Sequence, residues 1–238
     1  MSIYNVDNLG TKLANSAYPG RGIVVGKSPN GKSAVFAYFI MGRSANSRNR
    51  IFTETEDGIR TEPYDASKVE DPSLIIYAPV RHIGKSIVVT NGDQTDTVVE
   101  HMAKGESFVN ALRTRCFEPD GPNWTPRISA ILNFANGFDY EMSILKSADA
   151  EGTACNRYLY SYEPLAGVGH FIHTYGEDGN PLPTFTGEPE RVATCDGIDC
   201  FTDMIWNNLN ADNKISLYVT YVDLETGAET HRLINKYN

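Results

Sequence analysis

YPGRGIVVGKSPNGKSAVFAYFIMGRSANSRNRIF, Tyr18 to Phe52, holds two apolar strands and the turn between them. Gly22 to Val25 is a short β-branched run, and Ala34 to Met41 is a longer one with three aromatics. A continuous apolar run, as opposed to an alternating one, suits a strand covered on both faces. Between the runs lies Ser28-Pro29-Asn30-Gly31-Lys32. Asn-Gly between strands marks a hairpin, because both residues tolerate positive φ. The second strand delivers Arg43, Ser44, Asn46, Ser47, Arg48, Asn49 and Arg50 to one end of the sheet. Three guanidinium groups so close together, interleaved with hydrogen-bonding side chains, favour an anion among them. The plainer alternative is a solvated loop decorated with arginine.

Gly26 to Ser33 also fits the phosphate-loop pattern G-x-x-x-x-G-K-[ST]. That loop must open a helix whose N-terminal amides hold the phosphates. Here Ala34-Val35-Phe36-Ala37-Tyr38-Phe39-Ile40 follows, a strand sequence. A hairpin turn accounts for the glycine and lysine, and the nucleotide-triphosphatase reading is set aside.

The chain has 238 residues, a net charge of −9 and an uneven charge distribution. Residues 1–53 carry seven Lys or Arg against Asp7 alone, +6, and the remaining 14 basic and 29 acidic residues give −15. An acidic protein with one basic segment is a poor general binder of nucleic acid, which needs an extended basic face. It suits one small anion, because a local cluster focuses the field in a cleft. No stretch has the apolar length of a membrane span, and MSIYNVDNLG lacks the basic and apolar regions of a signal peptide. A cytoplasmic protein is expected, with Cys116, Cys155, Cys195 and Cys200 as reduced thiols.

Residues 1–17 read as a polar N-terminal arm of a single domain spanning 1–238. Strands are expected at 51–55, 59–61, 74–80 and 86–90. At Gln94 the period changes, and helical spacing runs to Lys104 and again from Glu106 to Arg115. Amides at the start of that helix can hold a phosphate or an oxyanion, unless Asp93 merely caps it. Strands then follow at 127–134, 140–146, 156–162 and 168–175. Residues 177–189, rich in Pro and Gly, form an irregular segment. A helix over 198–209 and a hairpin of 215–224 with 229–234 end the chain. Blocks of strands and blocks of helices, not a strict alternation, give an α+β fold with antiparallel sheets. His170 and His173 fall on opposite faces of a strand, which argues for structural roles and against a shared metal. Tyr77 is placed in an apolar strand with its hydroxyl satisfied, and Cys195 with Cys200 is discounted as a redox pair.

Several segments, in order, resemble the archaeal-type IMP cyclohydrolase family. They are Tyr18-Pro19-Gly20-Arg21-Gly22, then Gly42 to Arg50, Tyr77 with Arg81, Thr90 to Asp96, and Glu118 followed by Thr125-Pro126-Arg127-Ile128. The arginine segment is about two residues longer than in the archaeal form, which leaves the separate roles of Arg48 and Arg50 open. The resemblance implies a four-layer αββα sandwich like that of N-terminal nucleophile hydrolases. It implies ring closure of 5-formamidoimidazole-4-carboxamide ribonucleotide to IMP and water, with no cofactor and no metal. It also implies that Tyr77 and Arg21 serve the formyl and carboxamide end and that Glu118 carries the proton. Arg43, Arg48 or Arg50 would bind phosphate, flanked by Ser44 and Asn46. Asn91 and Asp93 would meet base or ribose, and Arg127 would anchor the loop or the phosphate. The expected partner is a purine ribonucleotide, with no nucleic acid or membrane; a homo-oligomer is left open. Two further readings stand beside it. One is a non-catalytic purine-nucleotide sensor. The other is an amidohydrolase using an N-terminal nucleophile, for which Ser2 lies some twenty residues too early.

Overall fold

The computed structural model describes residues 4–69 and 76–237. In chain order the elements are α1 (Leu9–Ala14), β1 (Arg21–Lys27), β2 (Ser33–Met41), α2 (Ala45–Arg48), β3 (Ile51–Thr55) and β4 (Gly58–Glu62). Then come β5 (Val80–Ile83), β6 (Ser86–Thr90), α3 (Gln94–Ala103), α4 (Phe108–Arg113), β7 (Arg127–Asn133) and β8 (Asp139–Ser147). The last are β9 (Cys155–Tyr162), β10 (Val168–His173), β11 (Glu190–Ala193), α5 (Ile198–Asn208), β12 (Lys214–Asp223) and β13 (Glu229–Asn235).

Two antiparallel sheets face each other, one ordered β11-β10-β1-β2-β12-β13 and the other β3-β4-β5-β6-β7-β8-β9. β2 shows why its sequence is apolar throughout. Phe36, Tyr38 and Ile40 point into the core between the sheets, beside Val89, Ile128 and Met142. The alternate residues Val35, Ala37 and Phe39 pack against Leu9 and Leu13 of α1 and Phe201 and Ile205 of α5. On the far side Val88, Ile131 and Leu145 meet Val98 of α3 and Phe108, Ala111 and Leu112 of α4. Period-2 strands covered twice thus build four layers, α-β-β-α.

The turn from β1 to β2 is the hairpin that Asn30-Gly31 predicts. Gly31 has φ +73°, and its amide donates to Ser28 O at 2.9 Å. No helix follows Lys32-Ser33, so the phosphate-loop pattern is a coincidence of letters.

Three expectations shift. The N-terminal arm contains α1, capped by the Asn8 side chain on Thr11 N at 2.8 Å. β11 was hidden behind the Pro/Gly-rich segment; it pairs with β10 through Gly169↔Val192. The strand expected at 74–80 lies partly outside the described residues, and Tyr77 precedes β5 in an extended segment. Tyr77 still bonds to the end of β4: its amide donates to Thr61 Oγ1 at 2.9 Å and its carbonyl accepts from Thr61 N at 2.8 Å. Among the described residues no helix is long and apolar enough to cross a membrane.

Candidate active site

Antiparallel pairing brings the start of β1, the end of β2, the end of β6 and the start of β7 to one end of the sandwich. Arg21, Asn91 and Arg127 sit at those ends, Arg50 reaches the end of β2 from the residue before β3, and Glu118 arrives on the loop before β7. Gly20 makes the entry to β1. Its φ is +79°, and a Cβ there would come within 2.2 Å of Thr174 Oγ1. That hydroxyl is occupied, accepting from Arg21 N and donating to Pro19 O, each at 3.1 Å.

Arg21 Nη2 stands 3.9 Å from Glu118 Oε2, and the two residues are 9% and 3% exposed. Burial pushes the Glu118 carboxyl above the ordinary carboxylate range, against the pull of Arg21, Arg127 and Arg50 and with help from Asp120. For Arg21 burial opposes the charge, but Glu118, Tyr77, Tyr175 and Tyr18 more than offset it. The Tyr38 and Tyr77 hydroxyls are 2.8 Å apart, and Tyr38 is wholly buried. Burial, then Tyr77, holds the Tyr38 phenol protonated well beyond its usual range.

Arg50 is the largest fully buried side chain. Its Nε donates to Ser47 O at 2.8 Å and its Nη2 to Met41 O at 3.3 Å, which ties α2 to the end of β2. Arg127 Nη1 binds Gln94 Oε1 and Asp93 Oδ1, both at 2.7 Å. Among the described residues, Arg21 Nε, Arg50 Nη1 and Arg127 Nε are buried N–H groups with no acceptor. Arg127 has Asp93 as an ion-pair partner, but among the described residues Arg21 and Arg50 share only Glu118, with Arg21 3.9 Å from it, so positive charge is under-compensated at this end.

The remaining expected residues divide. Arg43 lies on the rim, 5.0 Å above the Tyr18 ring, with Nη1 on Asp178 and, at 2.9 Å, on Gly179 O. Arg48 is spent on Gly42 O and Asn213 Oδ1, both at 3.0 Å. Ser44 caps α2 through Ser47 N, and Asn46 has a buried Oδ1 without a partner among the described residues. Asn91, expected at base or ribose, is fully buried, and both ends of its amide are engaged. Its Nδ2 donates to Pro126 O at 2.9 Å, and its Oδ1 accepts from Ile128 N and Gln94 Nε2. It fastens the 118–126 loop to the sheet. Asp93 stands at the α3 N-cap without capping it. Its carboxylate joins Arg115, at 2.5 Å, to Arg127. Arg81 turns away to Asp57 and Asp96.

Tyr38, Tyr175 and Thr125 also furnish this site and were not singled out for it. Tyr175 Oη lies 2.5 Å from Thr125 Oγ1, which in turn binds Asp120. The available signal was Tyr38 itself, a hydroxyl in the middle of an apolar strand, which needs a buried partner. A cleft of about 650 Å³ opens at the opposite end of the sandwich, lined by Lys27, His82, Lys85 and Phe138. Its ionisable groups are half-buried or exposed, and among the described residues the buried Asp, Glu, Lys and Arg side chains are at the arginine end.

Such a sandwich, with buried cations around one perturbed carboxyl and a phenol pair, has the charge and the burial to take up a small organic anion. Residues 18–227 match the family described as IMP cyclohydrolase-like protein, and the chain belongs to that family. It is similar to the IMP cyclohydrolase of Methanopyrus kandleri, 29% identical over 191 residues, 77% of this chain and 89% of that one. A second relative with that name, from Methanococcus maripaludis, is 30% identical over 192 residues, 71% and 94% of the two chains. A third, from Methanococcus aeolicus, is 28% identical over 155 residues, 61% and 74%. Every site residue above lies within the matched span.

Proposed function

We propose that this protein is an IMP cyclohydrolase, a cytoplasmic enzyme closing the purine ring of 5-formamidoimidazole-4-carboxamide ribonucleotide with loss of water. The observation that carries the reading is the buried Arg21–Glu118 pair beside the Tyr38–Tyr77 hydroxyl pair. The reaction is intramolecular: the carboxamide nitrogen bonds to the formyl carbon, and one amide proton reaches the formyl oxygen. The resulting hydroxyl then leaves as water with a second N–H proton. Holding the substrate in its ring-closing conformer supplies much of the rate, so no covalent nucleophile is required. Tyr77 and Arg21 donate to the formyl oxygen as charge builds there, where exclusion of water strengthens each bond. Glu118 accepts the amide proton and passes it to the formyl oxygen, then carries the second N–H proton to the departing hydroxyl; a carboxyl raised by burial is suited to both directions. Arg50 and Arg127 supply positive field from behind, and Arg43 with Ser44 and Asn46 receives the phosphate at the rim.

Two other readings make different predictions. A nucleotide sensor needs the arginines and no proton carrier. An N-terminal nucleophile needs a hydroxyl or thiol at the strand start, where Gly20-Arg21 stands; Ser2 lies outside the described residues. Incubation with the formylated ribonucleotide, followed in the ultraviolet, decides among them. Ring closure supports the cyclohydrolase. Binding of IMP without turnover supports the sensor.

A further inference from the structure

On the outer face of the first sheet, far from the arginine end, two thiols approach each other. Cys195 follows β11 and Cys200 is the third residue of α5, and their sulfurs are 2.8 Å apart. Both are free cysteines, Cys200 exposed and Cys195 half-buried. A disulfide bond measures about 2.05 Å, so about 0.8 Å of movement separates this pair from a covalent link. Bonds on several sides hold the chain reversal that creates the approach. Thr194 Oγ1 donates to Lys27 O at 2.7 Å, and Asp196 Oδ1 accepts from Asn30 N at 2.7 Å. The Tyr221 hydroxyl donates to Cys195 O at 2.7 Å. The sulfurs therefore meet because a fastened turn presents them to each other.

We propose that Cys195 and Cys200 are an oxidation site at which a hydroperoxide forms a reversible disulfide. Exposed Cys200 meets the oxidant first. Burial, then Cys200 itself, pushes the Cys195 thiol up to about 12, so Cys195 stays protonated and is not the sulfur that the oxidant meets first. The Cys200 thiolate attacks one peroxide oxygen, the O–O bond breaks, and a sulfenic acid and hydroxide form. The Cys195 sulfur then gives up its proton, attacks the Cys200 sulfur and expels its hydroxyl as water. Overall two thiols lose two electrons and two protons, and one hydrogen peroxide becomes two waters. The surrounding charge favours a neutral oxidant. Asp196 is next to Cys195, and Asp199 is adjacent to Cys200 although Arg232 partly neutralises it at 2.7 Å. An anionic disulfide such as oxidised glutathione would be repelled. In a reducing compartment such a bond is transient and redox-responsive.

Trypsin places both cysteines in one peptide, Val192 to Lys214, and puts Cys116 and Cys155 in two others. The folded full chain is treated with hydrogen peroxide, blocked with iodoacetamide, digested and weighed. The expected peptide is about 2 Da lighter than the reduced one, takes up no alkyl group, and regains two alkylation sites after dithiothreitol. Cys195→Ser should lose the 2 Da change and expose a Cys200 sulfenic acid to dimedone, which the unaltered protein resolves. Oxidation of Cys200 to sulfinic acid in the unaltered protein without the mass loss would overturn the proposal. So would prior oxidation of Cys116 or Cys155 while the 192–214 peptide stays fully alkylatable.

Discussion

The Tyr38 hydroxyl lies 2.8 Å from that of Tyr77, and no exposed surface remains on Tyr38. Tyr38 stacks on Phe52 at 5.6 Å, which fixes its ring. In the arrangement in which Tyr38 donates to Tyr77, the Tyr77 proton is left to point at a ligand. Removing a donor to a developing oxyanion typically costs about a hundred- to a thousandfold in kcat. Tyr77→Phe is expected to lose that much with KM nearly unchanged. Tyr38→Phe, which only orients Tyr77, should lose about tenfold, a typical hydrogen-bond contribution. Steady-state rates of ring closure check both; a Tyr77→Phe enzyme at full speed would remove the phenol from the chemistry.

Glu118→Gln keeps the shape of the side chain and removes its proton chemistry. The expected loss in kcat is about a hundredfold or more, with IMP affinity retained. As a base Glu118 must be ionised, so activity falls as pH drops through its raised pKa, and the acid limb lies above the ordinary carboxylate range. In the Gln variant that limb should vanish. Rate–pH profiles of the two proteins, compared over the same range, make the test.

Arg43 and Asp178 form a rim pair that a substrate phosphate can break. Asp178 lies in the irregular 177–189 segment, which is also tied to the 118–126 loop where Leu182 N donates to Asn123 Oδ1 at 2.9 Å. Arg43→Ala is expected to raise KM about tenfold and leave kcat in place, as loss of uniform binding does. Asp178→Asn frees the guanidinium and should lower KM. If both variants shift KM in the same direction, the exchange of carboxylate for phosphate is wrong.

Stability should depend on pH through His170. Its Nδ1 lies 2.6 Å from the Tyr140 hydroxyl, and its ring stacks on Tyr162 at 3.7 Å. Burial, then Arg191, lowers its pKa to about 4, against about 6.5 in an unfolded chain. Between these values the unfolded chain binds a proton that the folded protein refuses. The contribution is therefore complete above pH 6.5 and is lost as pH falls towards 4. A shift of this size corresponds to about 3 kcal/mol, and partial access to water trims it to about 2 kcal/mol. Unfolding free energies of the protein and of His170→Gln, measured from pH 7 to 4.5, should diverge in slope. Parallel curves would show that His170 does not titrate this way.

Much of the strand order was legible. Ile51 to Thr55 and Ser86 to Thr90 form strands with the expected bounds, and the Asn30-Gly31 hairpin closes as its turn chemistry requires. α1 was obscured because a short helix buries only Leu9, Gly10 and Leu13, too few positions for a period. β11 was obscured because four residues beside a Pro/Gly-rich segment carry little pattern. Asn91 reads as a ligand-binding residue in its motif, yet its amide is consumed by Pro126, Ile128 and Gln94. Its partners lie more than thirty residues away or in the next turn, and no local pattern announces them.

The chain on its own determined the layers: unbroken apolar strands must be covered on both faces, and a turn of Asn and Gly must reverse them. It also determined that positive charge gathers near Arg43 to Arg50 in an otherwise acidic molecule. Only the tertiary structure decided which of those charges turn inward. Arg50 is enclosed and Arg43 stays on the rim because strand ends from two sheets converge there, and Arg21, Glu118 and Arg127 become neighbours through pairings that span a hundred residues. Side-chain direction follows from local period, but the meeting of distant charges depends on how two sheets stack.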